Sequence, residues 1–267
     1  MSDKHFFVSD LHLFSRRSQA PKHDAAITAA AQQARTFVLG GDIFDFRWST
    51  LPNFERTLGA AVQWLERLTA INRSCTFHFV FGNHDYNRQF VEAIDRLAEK
   101  TENLQWHRTH LRMGDSLFLH GDVADKPRLC HQKLILRRQK YWHDEAPRGQ
   151  VANMMYDWAI QARLHHVAKL VHRHQRVTER LLQYVDAIGH GPTSGLKHVY
   201  FGHTHYAMSH YERGGLFFHN GGAPMKGLDF RIVPVEISAP VETAVALATR
   251  PVELRPLETG PVLEVGK

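Results

Sequence analysis

The sequence predicts an α/β protein assembled from successive strand-helix-strand units, and three observations carry that expectation. Short apolar runs of β character stop abruptly at polar clusters: Asp10-Leu11-His12, Gly40-Gly41-Asp42, Gly82-Asn83-His84-Asp85, His120-Gly121-Asp122 and Gly202-His203-Thr204-His205. Between the runs lie segments whose apolar residues recur at helical spacing. The clusters are 32 residues (10 to 42), 41 (42 to 83) and 37 (83 to 120) apart, the length of one strand-helix-strand unit of about 30 residues or more. A chain of 267 residues with 43% hydrophobic content can bury one large α/β core together with an elaboration.

Taken in order, His5 to Ser9 is a strand that ends at Asp10. Residues 22 to 34, rich in alanine and glutamine, return the chain as a helix to a second strand, Thr36 to Leu39, where a Gly-Gly turn exposes Asp42. From Phe54 to Ile71, Leu58, Val62, Leu65 and Leu68 give one apolar helical face. Thr76 to Phe81 is the strand that leads into Gly82-Asn83, and Asn87 to Lys100 is a helix with Phe90, Ile94 and Leu97 aligned. Weaker β signals cover Leu104 to Leu111, and Ser116 to Leu119 is a short strand ending at His120.

His120 and His203 are 83 residues apart, too far for one unit, so the excess is expected to be an insertion. Residues 126 to 142 set Arg128, Lys133, Arg137, Arg138 and Lys140 among Leu129, Leu134, Ile135, Leu136, Tyr141 and Trp142, a basic amphipathic segment. Residues 150 to 188 lack proline and glycine and carry helical periodicity, which predicts one long helix or two in tandem lying over the core as a lid. Lys197 to Phe201, Leu216 to His219 and Phe230 to Ile237 complete the strands. The expected organisation is a core of 1–122 and 198–237, a helical insertion over 123–197, and an extended or disordered tail over 238–267 with prolines at 240, 251, 256 and 261.

The formal charge of +6 favours anionic partners, while twenty histidines raise the expectation of a metal site without locating it. Cys75 and Cys130 form neither a metal motif nor a disulfide framework and are expected to be reduced, partly buried thiols. The run Phe6-Phe7-Val8 is too short for a signal-peptide core, and no run approaches the roughly 20 apolar residues of a membrane span. These features predict a cytoplasmic protein, with the basic lid leaving room for peripheral contact at the inner membrane.

Carboxylate and amide oxygens combined with imidazole nitrogens suit Mn²⁺, Fe²⁺, Co²⁺ or Zn²⁺; calcium wants a nearly all-oxygen set and structural zinc wants thiolates. A carboxylate that bridges two such ions roughly 3.5–4 Å apart belongs to metal-assisted hydrolysis of phosphate esters. Asp10-x-His12, Gly41-Asp42, Gly82-Asn83-His84-Asp85, His120 and Gly202-His203-x-His205, in that order, resemble the calcineurin-like metallophosphoesterase superfamily over roughly residues 5 to 237. The resemblance implies a four-layer αββα sandwich, two mixed β-sheets flanked by helices.

It further implies two divalent metal ions, manganese first among Fe²⁺/Fe³⁺, Zn²⁺ and Co²⁺, with Asp10, His12, Asp42 and His205 holding one. Asp42, Asn83, His120 and His203 would hold the other, with a hydroxide between the pair. His84 would face the phosphate as the catalytic residue, stabilising the transition state or protonating the leaving oxygen. Asp85 is expected to orient its turn, and Asp45 and Asp122 to be turn residues or to hold a ligand histidine or a backbone amide. Asn220 ends a strand that could border the site, with a turn as the default reading of Asn-Gly. His165, His166, His172 and His174 are expected on a solvated or lid-facing surface. Asn83, Arg137, Arg138 and Lys140 are candidate contacts for an anionic phosphate-ester substrate.

Val8-Ser9-Asp10-Leu11-His12-Leu13, Gly41-Asp42-Ile43-Phe44-Asp45-Phe46-Arg47-Trp48 and Leu119-His120-Gly121-Asp122, followed by a helical insertion, resemble the UDP-2,3-diacylglucosamine pyrophosphatases of lipid A synthesis. That resemblance implies cleavage of a pyrophosphate between a nucleotide and a lipid-bearing sugar. A DNA or nucleotide phosphodiesterase, with a steep salt dependence on DNA, or a broad-specificity phosphoesterase of the same superfamily, and a non-catalytic metal-binding scaffold that keeps the fold without the chemistry, are the alternatives. Nucleic acid is an alternative partner and not the favoured one.

Overall fold

A computed structural model describes residues 3–127, 130–140, 142, 143, 149, 155 and 174–238. Of the helix or helices expected over 150–188, residues 150–173 apart from Met155 lie outside the described residues, as does the tail expected over 238–267 apart from Ser238. Two five-stranded sheets form the body. The first contains β1 (Lys4–Val8), β2 (Ala34–Leu39), β3 (Thr76–Val80), β4 (Leu104–His107) and β10 (Val233–Pro234), in the order β10-β1-β2-β3-β4. The second contains β5 (His110–Met113), β6 (Ser116–Leu119), β7 (His198–Phe201), β8 (Met208–Arg213) and β9 (Leu216–Asn220), in the order β5-β6-β7-β9-β8.

Both sheets are mixed. Strands β1 to β4 run parallel and β10 antiparallel at the edge; β6, β7 and β9 run parallel and carry antiparallel β5 and β8 on either side. The strands at the centre read as near-continuous apolar runs because both of their faces are covered, and β6 and β7 are buried at every residue. Between the sheets lies an apolar layer of Phe7, Val38, Val80 and Val233 against Leu111, Met113, Phe118 and Tyr200. Phe118 and Tyr200 stack at 5.0 Å, and Phe7 stands 6.0 Å from each ring.

Helices cover the outer faces. Helix α1 (Asp24–Gln33), α2 (Phe54–Ile71) and α3 (Arg88–Lys100) press Ile27, Leu65, Leu68, Phe90 and Ile94 onto Phe37, Leu39, Phe77 and Phe79. Asn53 caps α2 by accepting from the Arg56 N–H, and Asn87 caps α3 by accepting from the Gln89 N–H; each cap is worth about 1 kcal/mol. On the second sheet, α4 (His131–Gln139) contributes Leu134, and α5 (His174–Ala187) contributes Val177, Leu181, Tyr184 and Val185, against Leu117, Val199, Phe201 and Phe218. The result is the four-layer αββα sandwich that the sequence predicts.

Three boundaries differ from expectation. The weak β signal over Leu104 to Leu111 is two strands, β4 and β5, that belong to different sheets, so the chain crosses the sandwich at Arg108-Thr109. Strand β8 escapes sequence reading because Met208–Arg213 is a largely exposed edge with a register shift between Met208 and Tyr211 and no clean alternation. The final strand shrinks from Phe230–Ile237 to two residues. Cys75 is buried, but Cys130 is exposed ahead of α4 rather than partly buried. Among the described residues, no helix is long and apolar enough to cross a membrane.

Candidate metal centre

The parallel strands β1, β2, β3, β6 and β7 all point their C-terminal ends to one edge of the sandwich, and the five polar clusters follow them there. Asp10, His12 and Asp42 come from the first sheet, with Asn83 and His84 beside them; His120, His203 and His205 come from the second. The backbone is bent unusually to deliver them. Asp10 (φ 54°), His12 (44°), Asp42 (51°), His203 (65°) and His205 (59°) all lie in the left-handed region. That conformation is strained for a residue with a side chain, persists only where the surroundings enforce it, and gathers at functional sites. Five of the seven candidate ligands carry it.

Two glycines make the convergence possible. A Cβ on Gly82 would stand 2.2 Å from Asp42 Oδ1, and one on Gly202 would stand 2.1 Å from Asp10 Oδ2. The carboxylates occupy the space that any side chain at these positions would fill.

Three groups of side chains bring their ligand atoms within 4.8 Å of one another: Asp10, His12 and His205; Asp42, His120 and His203; and His12, Asp42 and His84. His12 Nε2 lies 3.2 Å from His205 Nε2, and His205 Nε2 lies 3.5 Å from Asp10 Oδ1. His120 Nε2 lies 3.3 Å from His203 Nδ1, 3.2 Å from Asp42 Oδ2 and 3.1 Å from Asn83 Oδ1. Donors that share one cation through bonds of about 2.1 Å stand about 3.0–3.4 Å apart, so the spacing and the mixed nitrogen and oxygen set fit first-row divalent ions. Asp42 joins the groups: Oδ2 faces His120 at 3.2 Å and His12 at 3.9 Å, while Oδ1 accepts the His84 N–H at 2.8 Å.

The electrostatics follow from burial and charge. Burial works against ionisation of Asp42, yet His120, His84 and His12 around it hold its carboxyl well below the usual carboxylate range. Burial likewise opposes a charge on His120, but Asp42 and Asp10 outweigh it and push the imidazole up to about 10. His84, partly buried against Asp45 and Asp42, is pushed up to about 9 because the two carboxylates overcome desolvation.

Asp45 sits beneath two histidines. Its Oδ1 lies 3.1 Å from His84 Nδ1 and accepts the Trp48 N–H, and its Oδ2 lies 3.3 Å from His12 Nδ1, close but poorly aligned for a hydrogen bond. Asp85 accepts the Gly82 and Ile43 N–H groups and so ties two of the converging turns together. Asn220 donates to the Gly202 carbonyl and to Thr204 Oγ1, clamping the loop that bears His203 and His205.

Asp122 opens the 3-10 turn Asp122–Asp125, in line with one of its two expected roles. As an acceptor it differs from expectation: among the described residues it takes neither a histidine nor a backbone amide but the fully buried Arg138, through Nε at 2.9 Å and Nη2 at 2.7 Å. Arg138 also donates to the Arg108 carbonyl, so its guanidinium is spent inside the protein instead of facing a substrate. Arg137 pairs with Asp125, and Lys140 is exposed at the end of α4. His174 is exposed; His165, His166 and His172 lie outside the described residues. Asp125, which carries no motif, also meets His203 Nε2 at 2.7 Å. No signal in the sequence singles it out, because its meaning depends on a contact 78 residues away.

The sequence profile described as calcineurin-like phosphoesterase matches residues 4–207. No curated protein matches the chain. Among the solved structures that match is a dimetal phosphatase from Danio rerio, 11% identical, with 84% of this chain and 88% of that chain covered and a TM-score of 0.41. A likeness that slight decides neither fold nor chemistry.

Proposed function

The chain belongs to the calcineurin-like phosphoesterase family, enzymes that hydrolyse phosphoesters with bound metal, and from that premise we propose that it cleaves a phosphodiester or pyrophosphate at the edge where both sheets end. The observation that carries the reading is the placement of Asp10, His12, Asp42, His203 and His205 in left-handed backbone around two groups of facing donors. Asp10, His12, Asp42 and His205 would hold one ion, and Asp42, Asn83, His120 and His203 the other, with manganese the first candidate. Ions bound there supply a nucleophile near neutral pH and positive charge for the phosphoryl oxygens.

The chain's own residues do the remainder. Asp42 is fixed by the His84 N–H and by His120, so its two oxygens are held in separate directions. His84 is 20% exposed and charged at neutral pH, with Nδ1 turned to Asp45; this leaves Nε2 as the proton donor for a leaving oxygen. Asp45 sets both the ring plane and the charge of His84.

The favoured substrate is a nucleotide sugar lipid of the UDP-diacylglucosamine kind, an anion with an apolar end. The motifs around Asp10, Asp42 and His120 support it, as does the exposed Leu136 on α4 beside exposed Lys133 and Lys140. The same surface suits peripheral contact with an anionic membrane. A hydrolysis screen decides among substrates: a phosphomonoester, a phosphodiester, a nucleoside diphosphate sugar and its acylated form, with metal content measured on the same sample. Preference for the acylated compound is the expected result. Equal turnover of small esters would undo the lipid reading while leaving the metal chemistry intact.

A further inference from the structure

The turn that follows His120, residues Asp122–Asp125, is a single 3-10 coil wedged between the metal centre and helices α4 and α5. His203 uses both ring nitrogens there. Nδ1 faces the donor group, 3.3 Å from His120 Nε2, and Nε2 lies 2.7 Å from Asp125 Oδ1. A neutral imidazole has one N–H, and a carboxylate that takes it at Nε2 leaves the Nδ1 lone pair pointing at the group shared with Asp42 and His120.

We propose that Asp125 is a positioning residue for His203, holding the ring plane and the Nε2–H tautomer so that Nδ1 is presented as a donor. The inference rests on the reading of His203 as a metal ligand. A carboxylate on the outer nitrogen of a ligand histidine fixes its orientation and raises its basicity. Asp125 is itself immobilised from behind: Oδ2 takes Arg137 Nη2, the Ala124 carbonyl takes Arg180 Nη1, and the neighbouring Asp122 takes Arg138 through two bonds. Arg137 and Arg138 belong to α4 and Arg180 to α5, so both helices brace the turn. On the other side of the centre Asp45 also lies behind a ring, 3.3 Å from His12 Nδ1, but without the hydrogen bond that joins Asp125 to His203.

The test compares wild type with Asp125→Asn, Asp125→Ala and Asp125→Glu by calorimetric Mn²⁺ titration and by the spin-coupled signal of a manganese pair. Wild type is expected to bind two ions. Asp125→Asn and Asp125→Ala should weaken one of the two by about 10–100-fold and lose the coupled signal at limiting Mn²⁺, with the other ion unchanged and Asp125→Glu recovering part of the loss. Two-site binding and coupling unchanged in Asp125→Asn would overturn the role of Asp125 alone. Wild type that takes up fewer than two ions would instead overturn the metal reading of the site, and this role with it. Should the variants not fold, long-range ¹⁵N–¹H spectra of His203 in metal-free wild type decide the question: the Nε2–H tautomer supports the proposal, and the Nδ1–H tautomer refutes it.

Discussion

Replacing Gly82 with alanine perturbs the centre while leaving every candidate ligand in the chain. The added methyl would stand 2.2 Å from Asp42 Oδ1 and 2.5 Å from the Asp42 N, where ordinary contact begins at 3.4 Å. One of the two groups must retreat by about 1 Å, since 3.4 less 2.2 is 1.2 Å. Asp42 is pinned by the His84 N–H at 2.8 Å and by His120 at 3.2 Å, and Gly82 by Asp85 at 2.7 Å, so neither moves without breaking a hydrogen bond or an ion pair. Overpacking of this kind destabilises a fold by about 1–3 kcal/mol, and a displacement of about 1 Å in a reacting constellation lowers rate about 100-fold. The φ of Gly82 lies outside the left-handed region, so steric contact is isolated from backbone strain. The assay is kcat/KM for bis(p-nitrophenyl) phosphate at saturating Mn²⁺, with bound metal and thermal unfolding measured in parallel. Activity within threefold of wild type at unchanged metal content would refute the argument that Gly82 fixes the Asp42 carboxylate.

Other substitutions separate the roles. Asp42→Ala should abolish activity and most bound metal, whereas His84→Ala should retain both ions and lose about 10²–10⁴-fold in kcat; loss of an ion from the His84 variant, read by elemental analysis, would move His84 into the ligand set with His12 and Asp42. Arg138→Met strands the buried Asp122 charge and should lower unfolding free energy by about 3–5 kcal/mol in urea. The metal-free protein should be most stable near pH 6.5. Below it, His78, pushed down to about 3, and His107, His110 and His219, each pushed down to about 4, bind protons more readily once unfolded, so stability falls as pH drops. Above it, His84 and His120, raised to about 9 and about 10, hold protons that the unfolded chain has released, so stability falls again as pH rises through those values. On the proposed assignment Mn²⁺ would take the place of the His120 proton but not that of His84, so thermal melts of loaded protein should lose the part of the alkaline fall that belongs to His120 and keep the part that belongs to His84, together with the acid fall.

Much of this was legible in the sequence because the parallel strands are buried on both faces and end where the chemistry begins. Helix α2 follows from its apolar face alone, and β1, β2, β3, β6 and β7 from apolar runs that stop at glycine, aspartate or histidine. Membership of the family follows from the order of five short motifs. What escaped depends on contacts between distant residues. Nothing local marks the point where the chain leaves one sheet for the other at Arg108-Thr109, or shows that Arg138 is buried against Asp122 when a basic amphipathic segment reads as a surface. Asp125 is silent for the same reason. Strand β8 is an exposed, charged edge whose pairing with β9 is set by the fold and not by its own residues.

The sheet order also bears on how the chain is made. Synthesis from the N-terminus releases Asp10, His12, Asp42 and Asn83 with β1 to β3, but His203 and His205 emerge only after β7, and the strand that closes the first sheet, β10, comes last of all. On the proposed ligand assignment, a nascent chain halted before residue 203 lacks His203 and His205, one donor for each ion. The earliest sheet is sealed by the latest strand, between ligands that arrive at opposite ends of translation. On that assignment, tight capture of both ions would belong to chains that have passed residue 205, and shorter products would compete poorly for them.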